Sequence, residues 1–349
     1  MFKRILVPLD GSSRAEQALP IAARIARASG GSVLLLHVIT APLQFGPYMF
    51  GPYMQQSTLL REAVNAAIAE SAAYLSKAAH SHDLEGVETK VAMFSGPVAS
   101  AILDTAKEQH IDLILMVSHG HTGFKRWALG SVAQKVARTS PMPVLVLREG
   151  GSVPSSAYPD RTRPLRAVAA TVALDGSPLA EAAIFPAANL VAALAAPAKG
   201  SLHLTQIVQL PRGDDGWGGR ERRDPILEEQ AIDDAVCYLR KITSNLRDSL
   251  EREFNLSITW SVAGNTDVAD ALLKVAEQGS VDRGYSIFGG CDILALATHG
   301  RSGVQRWVLG SVTERVLGHT KLPLLIVRPQ QEQLTSMMSE PAQGEIEVR

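Results

Sequence analysis

The chain has 349 residues, a length that predicts about two domains, and an ordinary globular share of apolar and charged residues. Its 34 basic and 35 acidic side chains leave a net charge of −1, so no field favours nucleic acid or an anionic membrane surface. Two cysteines, Cys237 and Cys291, have neither metal-binding nor redox spacing, which suits a reducing, cytoplasmic setting. The opening Met1–Val7 run turns at Pro8, too short for a signal-peptide core, and Arg24, Arg27 and similar charges are expected to break any membrane-length apolar run.

The first predicted strand, from Ile5, ends at Asp10-Gly11-Ser12, with a helix opening behind Ser12 as N-cap. A second strand follows over 32–39, then a segment rich in Gly, Pro and Tyr over 42–57 that reads as a lid or a contact patch. A long helix over 59–79, a strand over 88–94 ending at Gly96 and a helix over 98–108 come next. The apolar run 112–117 predicts a fourth strand, which leads into Ser118-His119-Gly120, nine residues, and Gly130-Ser131-Val132 opening another helix. A closing strand over 143–148 completes the series.

Everything then repeats. Ala170 to Ser177 matches Ile5 to Ser12, with Ser177-Pro178 as N-cap and first helical position. Strands over 201–208, 257–263, 292–297 and 323–328 and helices over 225–253 and 267–277 follow in the same order. Thr298-His299-Gly300, nine residues, and Gly310-Ser311-Val312 form the second glycine segment. The expected layout is a first domain over 1–148, a Ser/Pro/Gly-rich linker over 149–165, a second domain over 166–329 and a polar tail over 330–349. Residues 279–290 read as an extra loop of the second half. Each half predicts an α/β fold: a doubly wound, five-stranded parallel sheet of order 3-2-1-4-5 with helices on both faces.

In that order the first and fourth strands flank the crevice where ligands sit. Asp10 and Asp175 end the first strands; the glycine segments end the fourth. An aspartate there can accept from ribose hydroxyls while loop and helix-start amides hold phosphate. Two plainer readings stand beside this one. Asp10 and Asp175 also suit Asx turns, and Ser131 with Gln134, or Ser311 with Glu314, suits a capping box. His119 and His299 lack a nucleophile or orienting partner and read as loop-shaping residues, not catalysts. Arg126-Trp127 and Arg306-Trp307, with His121, Lys125 and Arg301, read first as solvated basic surface with a packed aromatic.

On these residues the chain resembles a tandem member of the universal stress protein family. The carrying features are the aspartate-ended first strand and the Gly-two-Gly-nine-Gly-Ser/Thr segment, of which both halves keep all but the first glycine. The resemblance implies binding of ATP or AMP, with Mg²⁺ accompanying ATP, and dimers packed through the last strand, a pairing that tandem members can make within one chain. It implies a ribose role for Asp10 and Asp175, and adenine contact for Val38 and Ile207. It implies phosphate contact at Gly120, Gly130, Ser131 and Val132, and at Gly300, Gly310, Ser311 and Val312. Val117 and Ala297 replace the first glycine of the segment; if that position needs positive φ or close approach, valine weakens binding more than alanine. Three functions remain open: a nucleotide-binding regulator of the stress response, a ligand-free interaction scaffold, and a slow ATPase, the last without a Walker lysine loop, a nucleophile elbow or a paired acidic metal site.

Overall fold

The computed structural model describes residues 1–39, 58–118, 129–148, 168–211, 225–279, 283–284, 289–298 and 310–329. The proposed linker and tail, the 42–57 segment and most of both glycine loops, including Gly120, Gly300 and the paired Arg-Trp residues, lie outside them.

In the first half β1 (Arg4–Leu9), β2 (Ser32–Ile39), β3 (Glu88–Ser95), β4 (Leu113–Val117) and β5 (Val144–Leu147) run parallel in the order β3-β2-β1-β4-β5. Helices α1 (Ser13–Glu16), α2 (Leu19–Ser29), α3 (Thr58–Ala79), α4 (Val98–Glu108) and α5 (Ser131–Thr139) connect them. The second half repeats the plan with β6 (Ala169–Leu174), β7 (Gly200–Gln209), β8 (Leu256–Asn265), a two-residue β9 (Arg283–Gly284), β10 (Ile293–Ala297) and β11 (Leu324–Val327). Its helices are α6 (Pro178–Glu181), α7 (Ile184–Ala195), α8 (Pro225–Glu253), α9 (Val268–Gln278) and α10 (Ser311–His319). The order 3-2-1-4-5 therefore holds in both halves.

β5 and β11 pair antiparallel, with Leu145 opposite Leu325, so the two sheets become one of eleven strands. Alternation along these strands continues both cores across the join. Leu145 and Leu325 face the side of α2 and α7, whereas Val144, Val146, Leu324 and Ile326 face the side of α4, α5, α9 and α10. Arg148 and Arg328, the residues after these strands, reciprocate: Arg148 donates to the Leu317 carbonyl of α10, and Arg328 Nη1 to the Thr139 carbonyl of α5 at 3.4 Å. Burial holds the Arg148 guanidinium down to about 10.

Three expectations need correction. The stretch Pro178–Ala195 is 18 residues long and apolar enough to cross a membrane, contrary to the claim that charges break every such run. Its Ala187, Ala188, Leu190 and Val191 are fully buried, which makes it the core helix pair α6–α7. The 279–290 insertion is not only a loop, because β9 within it pairs antiparallel with Ser261 and Val262 of β8. Strand β8 also runs through Gly264 to Asn265 instead of ending at the glycine.

Candidate functional site

β1 lies against β4, and β6 against β10, which sets each aspartate beside the strand end that carries Ser118 or Thr298. Gly11 and Gly176 follow with φ of +85° and +84°, a conformation other residues adopt at a cost, so the chain reverses sharply there. Asp175 Oδ1 accepts from Ser177 N at 3.0 Å and from Ser177 Oγ at 2.6 Å; Asp10 does the same with Ser12 at 3.1 and 2.6 Å. Ser12 and Ser177 in turn cap α1 and α6, accepting from Ala15 N and Ala180 N. The Asx-turn reading is thus realised, and Asp175 still lines the cleft of the second half.

At the other wall, the loop ends are tied by one backbone bond in each half: Gly130 N donates to Ser118 O at 2.8 Å, and Gly310 N to Thr298 O at 3.1 Å. The capping-box expectation fails here. Gly130 and Gly310 are the N-caps, because their carbonyls accept the first helical bonds from Gln134 and Glu314 at 2.9 Å. Ser131 and Ser311 therefore occupy the first helical position, and no side chain caps either helix. Among the described residues nothing caps the first-turn amides of α5 and α10, and the helix dipole favours an anion there.

Gly310 itself is informative. Its φ of −57° and ψ of 146° suit any residue. Among the described residues, a Cβ placed on it would approach nothing nearer than Thr298 O at 3.7 Å and Thr313 Oγ1 at 4.0 Å. Neither conformation nor crowding requires a glycine. A group approaching the backbone from the cleft would require one.

In the second half these parts line one cleft of 690 Å³, which contains Asp175, Ile207, Ala297, Gly310, Ser311 and Val312. A volume of that size suits a small-molecule ligand. In the first half, Asp10 follows β1, Val38 lies near the end of β2, Val117 ends β4, and Gly130, Ser131 and Val132 open α5, each at the matching position. Val117 and Ala297 both end regular strands, and neither has positive φ. The conformational argument against replacing the family glycine thus does not apply. Val117 packs against the core on the α2 and α3 side.

The cleft also holds residues that the motif search missed. Tyr238 on α8 lines it and donates its hydroxyl to Glu181 Oε1 at 3.0 Å. Burial raises the Glu181 pKa, and the Tyr238 bond offsets part of that. Tyr74 on α3 occupies the corresponding place, its buried hydroxyl set near Glu16 and the Gly11 backbone without full hydrogen-bond geometry to either. Burial first, then the charges of Glu16 and Asp10, push its ionisation upward. A signal did exist: the glutamate lies six residues after the aspartate in both halves, and the tyrosine 64 or 63 residues after it.

Beneath the second cleft runs a buried polar chain. Thr205 Oγ1 and Ser261 Oγ are 3.2 Å apart, Ser261 Oγ and His203 Nε2 are 2.8 Å apart, and His203 Nδ1 meets Thr259 Oγ1 at 2.8 Å. Burial depresses the His203 pKa to about 4, so the ring is neutral.

Comparison with known proteins agrees with this geometry. The model of the Universal stress protein family matches residues 1–148 and 289–328. Universal stress protein YxiE of Bacillus subtilis is 31% identical over 148 residues, covering 42% of this chain and 100% of that protein. Universal stress protein MJ0531 of Methanocaldococcus jannaschii is 31% identical over 149 residues, covering 43% of this chain and 84% of that one. A crystal structure of a universal stress protein from Archaeoglobus fulgidus superimposes with a TM-score of 0.63 at 18% identity, covering 93% of this chain and 98% of that one; it speaks for the fold alone. With a family match over more than half its residues and the family's fold in both halves, the chain belongs to the universal stress protein family.

Proposed function

We propose that the chain is a nucleotide-binding stress-response protein. Its two clefts each take an adenine nucleotide, ATP or AMP, and signal occupancy without fast turnover. One observation carries this reading: the second-half cleft joins a carboxylate at one wall to an uncapped helix start at the other, at a glycine that no described residue crowds. The ribose lies at Asp175, the base against Ile207, and the phosphates at the amides of Gly310, Ser311 and Val312. The first half uses Asp10, Val38, Gly130, Ser131 and Val132 in the same way, with Gly120 and Gly300 completing the two phosphate loops. Each half is a domain, 1–148 and 166–329, and the chain works in the cytoplasm, where its two free cysteines stay reduced. ATP brings Mg²⁺ bound to its own phosphates.

Calorimetric titration with ATP and AMP, paired with a phosphate-release assay, tests the reading. Saturable binding with negligible phosphate release is the expected result. No heat and no thermal shift at millimolar nucleotide would leave the ligand-free scaffold as the better account.

A further inference from the structure

Side chains alternate along β7. Leu202 and Leu204 point into the core on the α7 and α8 side, so Gln206 faces α8, while Thr205 and Ile207 face α9. Gln206 lines the second cleft, yet it is only 6% exposed, and its Oε1 is buried with no hydrogen-bond partner. A sealed carboxamide oxygen without a donor is costly, and folded proteins rarely keep one without use.

The first half differs at this place. There β1 and β2 pair Leu9 with His37, just as β6 and β7 pair Leu174 with Gln206. His37 turns its Nδ1 to the Leu9 carbonyl oxygen at 2.8 Å and stands edge-on to Tyr74, ring centres 5.8 Å apart. The neighbouring Thr205 is matched by Leu36, a fully buried apolar residue. The two halves are alike at the starts of α5 and α10 and unlike beside β2 and β7.

We propose that Gln206 is the nucleoside-reading residue of the second cleft. Turned about its terminal torsion so that the buried oxygen reaches the cleft, its carboxamide accepts a hydrogen bond from an N–H or O–H donor of the bound nucleoside, and His37 in the first half cannot offer this contact. The inference rests on the nucleotide reading above. Two ligand groups have the required chemistry, the 6-amino group of the purine and the ribose 2′-hydroxyl. A carboxamide can present either end toward the ligand by rotating, whereas leucine can present neither.

The test uses the full chain carrying Gly130→Val, which obstructs the first cleft, with and without Gln206→Leu. Calorimetry follows AMP, purine riboside 5′-monophosphate (no 6-amino group) and 2′-deoxy-AMP. AMP is expected to bind the Gln206→Leu protein about ten-fold more weakly, the loss of one well-placed hydrogen bond. The analogue lacking the group that Gln206 reads should bind both proteins equally, which identifies that group. Without ligand, Gln206→Leu should melt at or above its parent, because it removes an unpartnered oxygen; a purely structural glutamine predicts the reverse. Equal AMP affinity in the two proteins, or equal losses for all three ligands, overturns the assignment. Failure of the Gly130→Val parent to bind AMP overturns the nucleotide reading itself.

Discussion

Replacing Gly310 by valine separates the needs of the fold from the needs of a ligand. At φ −57° and ψ 146° valine adopts the native backbone without strain. Its Cβ would have Thr298 O at 3.7 Å and Thr313 Oγ1 at 4.0 Å, ordinary contact distances. Removing a glycine from the unfolded ensemble favours the native state by about 0.4–1 kcal/mol, so the ligand-free variant should melt at or slightly above the parent. Ligand binding should respond in the opposite direction. A branched side chain at the N-cap fills the space through which a phosphate reaches the first-turn amides of α10. AMP at about 100 times its dissociation constant stabilises a binding-competent site by about 2.7 kcal/mol, and the variant should lose this increment for the second cleft. Thermal unfolding with and without AMP reads both effects, and calorimetric stoichiometry should fall from two to one. A variant that keeps full stoichiometry and affinity refutes the argument. A variant that melts far below the parent would show that the glycine serves the fold after all.

Other consequences follow from single residues. His203 is buried and neutral, with its pKa lowered from 6.5 to about 4, so the unfolded chain binds the extra proton first as pH falls. Its contribution is complete above pH 6.5 and declines toward pH 4 by about 3 kcal/mol; urea unfolding across that range should show the slope, and His203→Gln should flatten it. Tyr238→Phe removes the bond to Glu181 and should cost about 1 kcal/mol. Tyr74→Phe removes a hydroxyl that stands near Glu16 without full hydrogen-bond geometry, and should cost less than Tyr238→Phe in the same denaturant assay. Asp175→Ala breaks two bonds from Ser177 and should destabilise by about 2 kcal/mol. Asp175→Asn, which keeps an acceptor oxygen, should recover most of that stability while still weakening AMP binding.

The central strands β1, β4, β5, β6, β10 and β11 were legible because each is a short, almost wholly apolar run. β2 and α8 coincide with their expected limits, since Gly31 and Pro225 mark their starts. Helix starts were harder. Ser-x-x-Gln and Ser-x-x-Glu look like capping boxes, but the pattern cannot say which residue accepts the first helical bond. That depends on the tie from Gly130 to Ser118, and from Gly310 to Thr298, which only the folded loop provides. The α6–α7 pair was overlooked as a long apolar stretch because Glu181 interrupts it, yet that carboxylate sits at the cleft and hydrogen bonds to Tyr238. β9 is two residues long, too short for any periodicity, and pairs only because the β8 edge is there to receive it.

For the site, the motif residues marked the phosphate end and the aspartate. The nucleoside end was opaque, because Gln206 and Thr205 read as ordinary polar residues inside a strand and acquire meaning only from what faces them. Comparing the halves position by position would have exposed Glu16 with Glu181, and Tyr74 with Tyr238, since their spacing from the aspartate is nearly conserved within the chain. It would not have exposed Gln206, whose counterpart is a histidine turned to the Leu9 carbonyl.

A crystal structure of the chain grown with AMP tests the central claim most directly. The account predicts nucleotide density in both clefts, with phosphate against the amides of Ser131 and Val132 and of Ser311 and Val312, and ribose beside Asp10 and Asp175. Clefts containing only water at saturating AMP, or nucleotide bound with its phosphate away from the α5 and α10 starts, would contradict it.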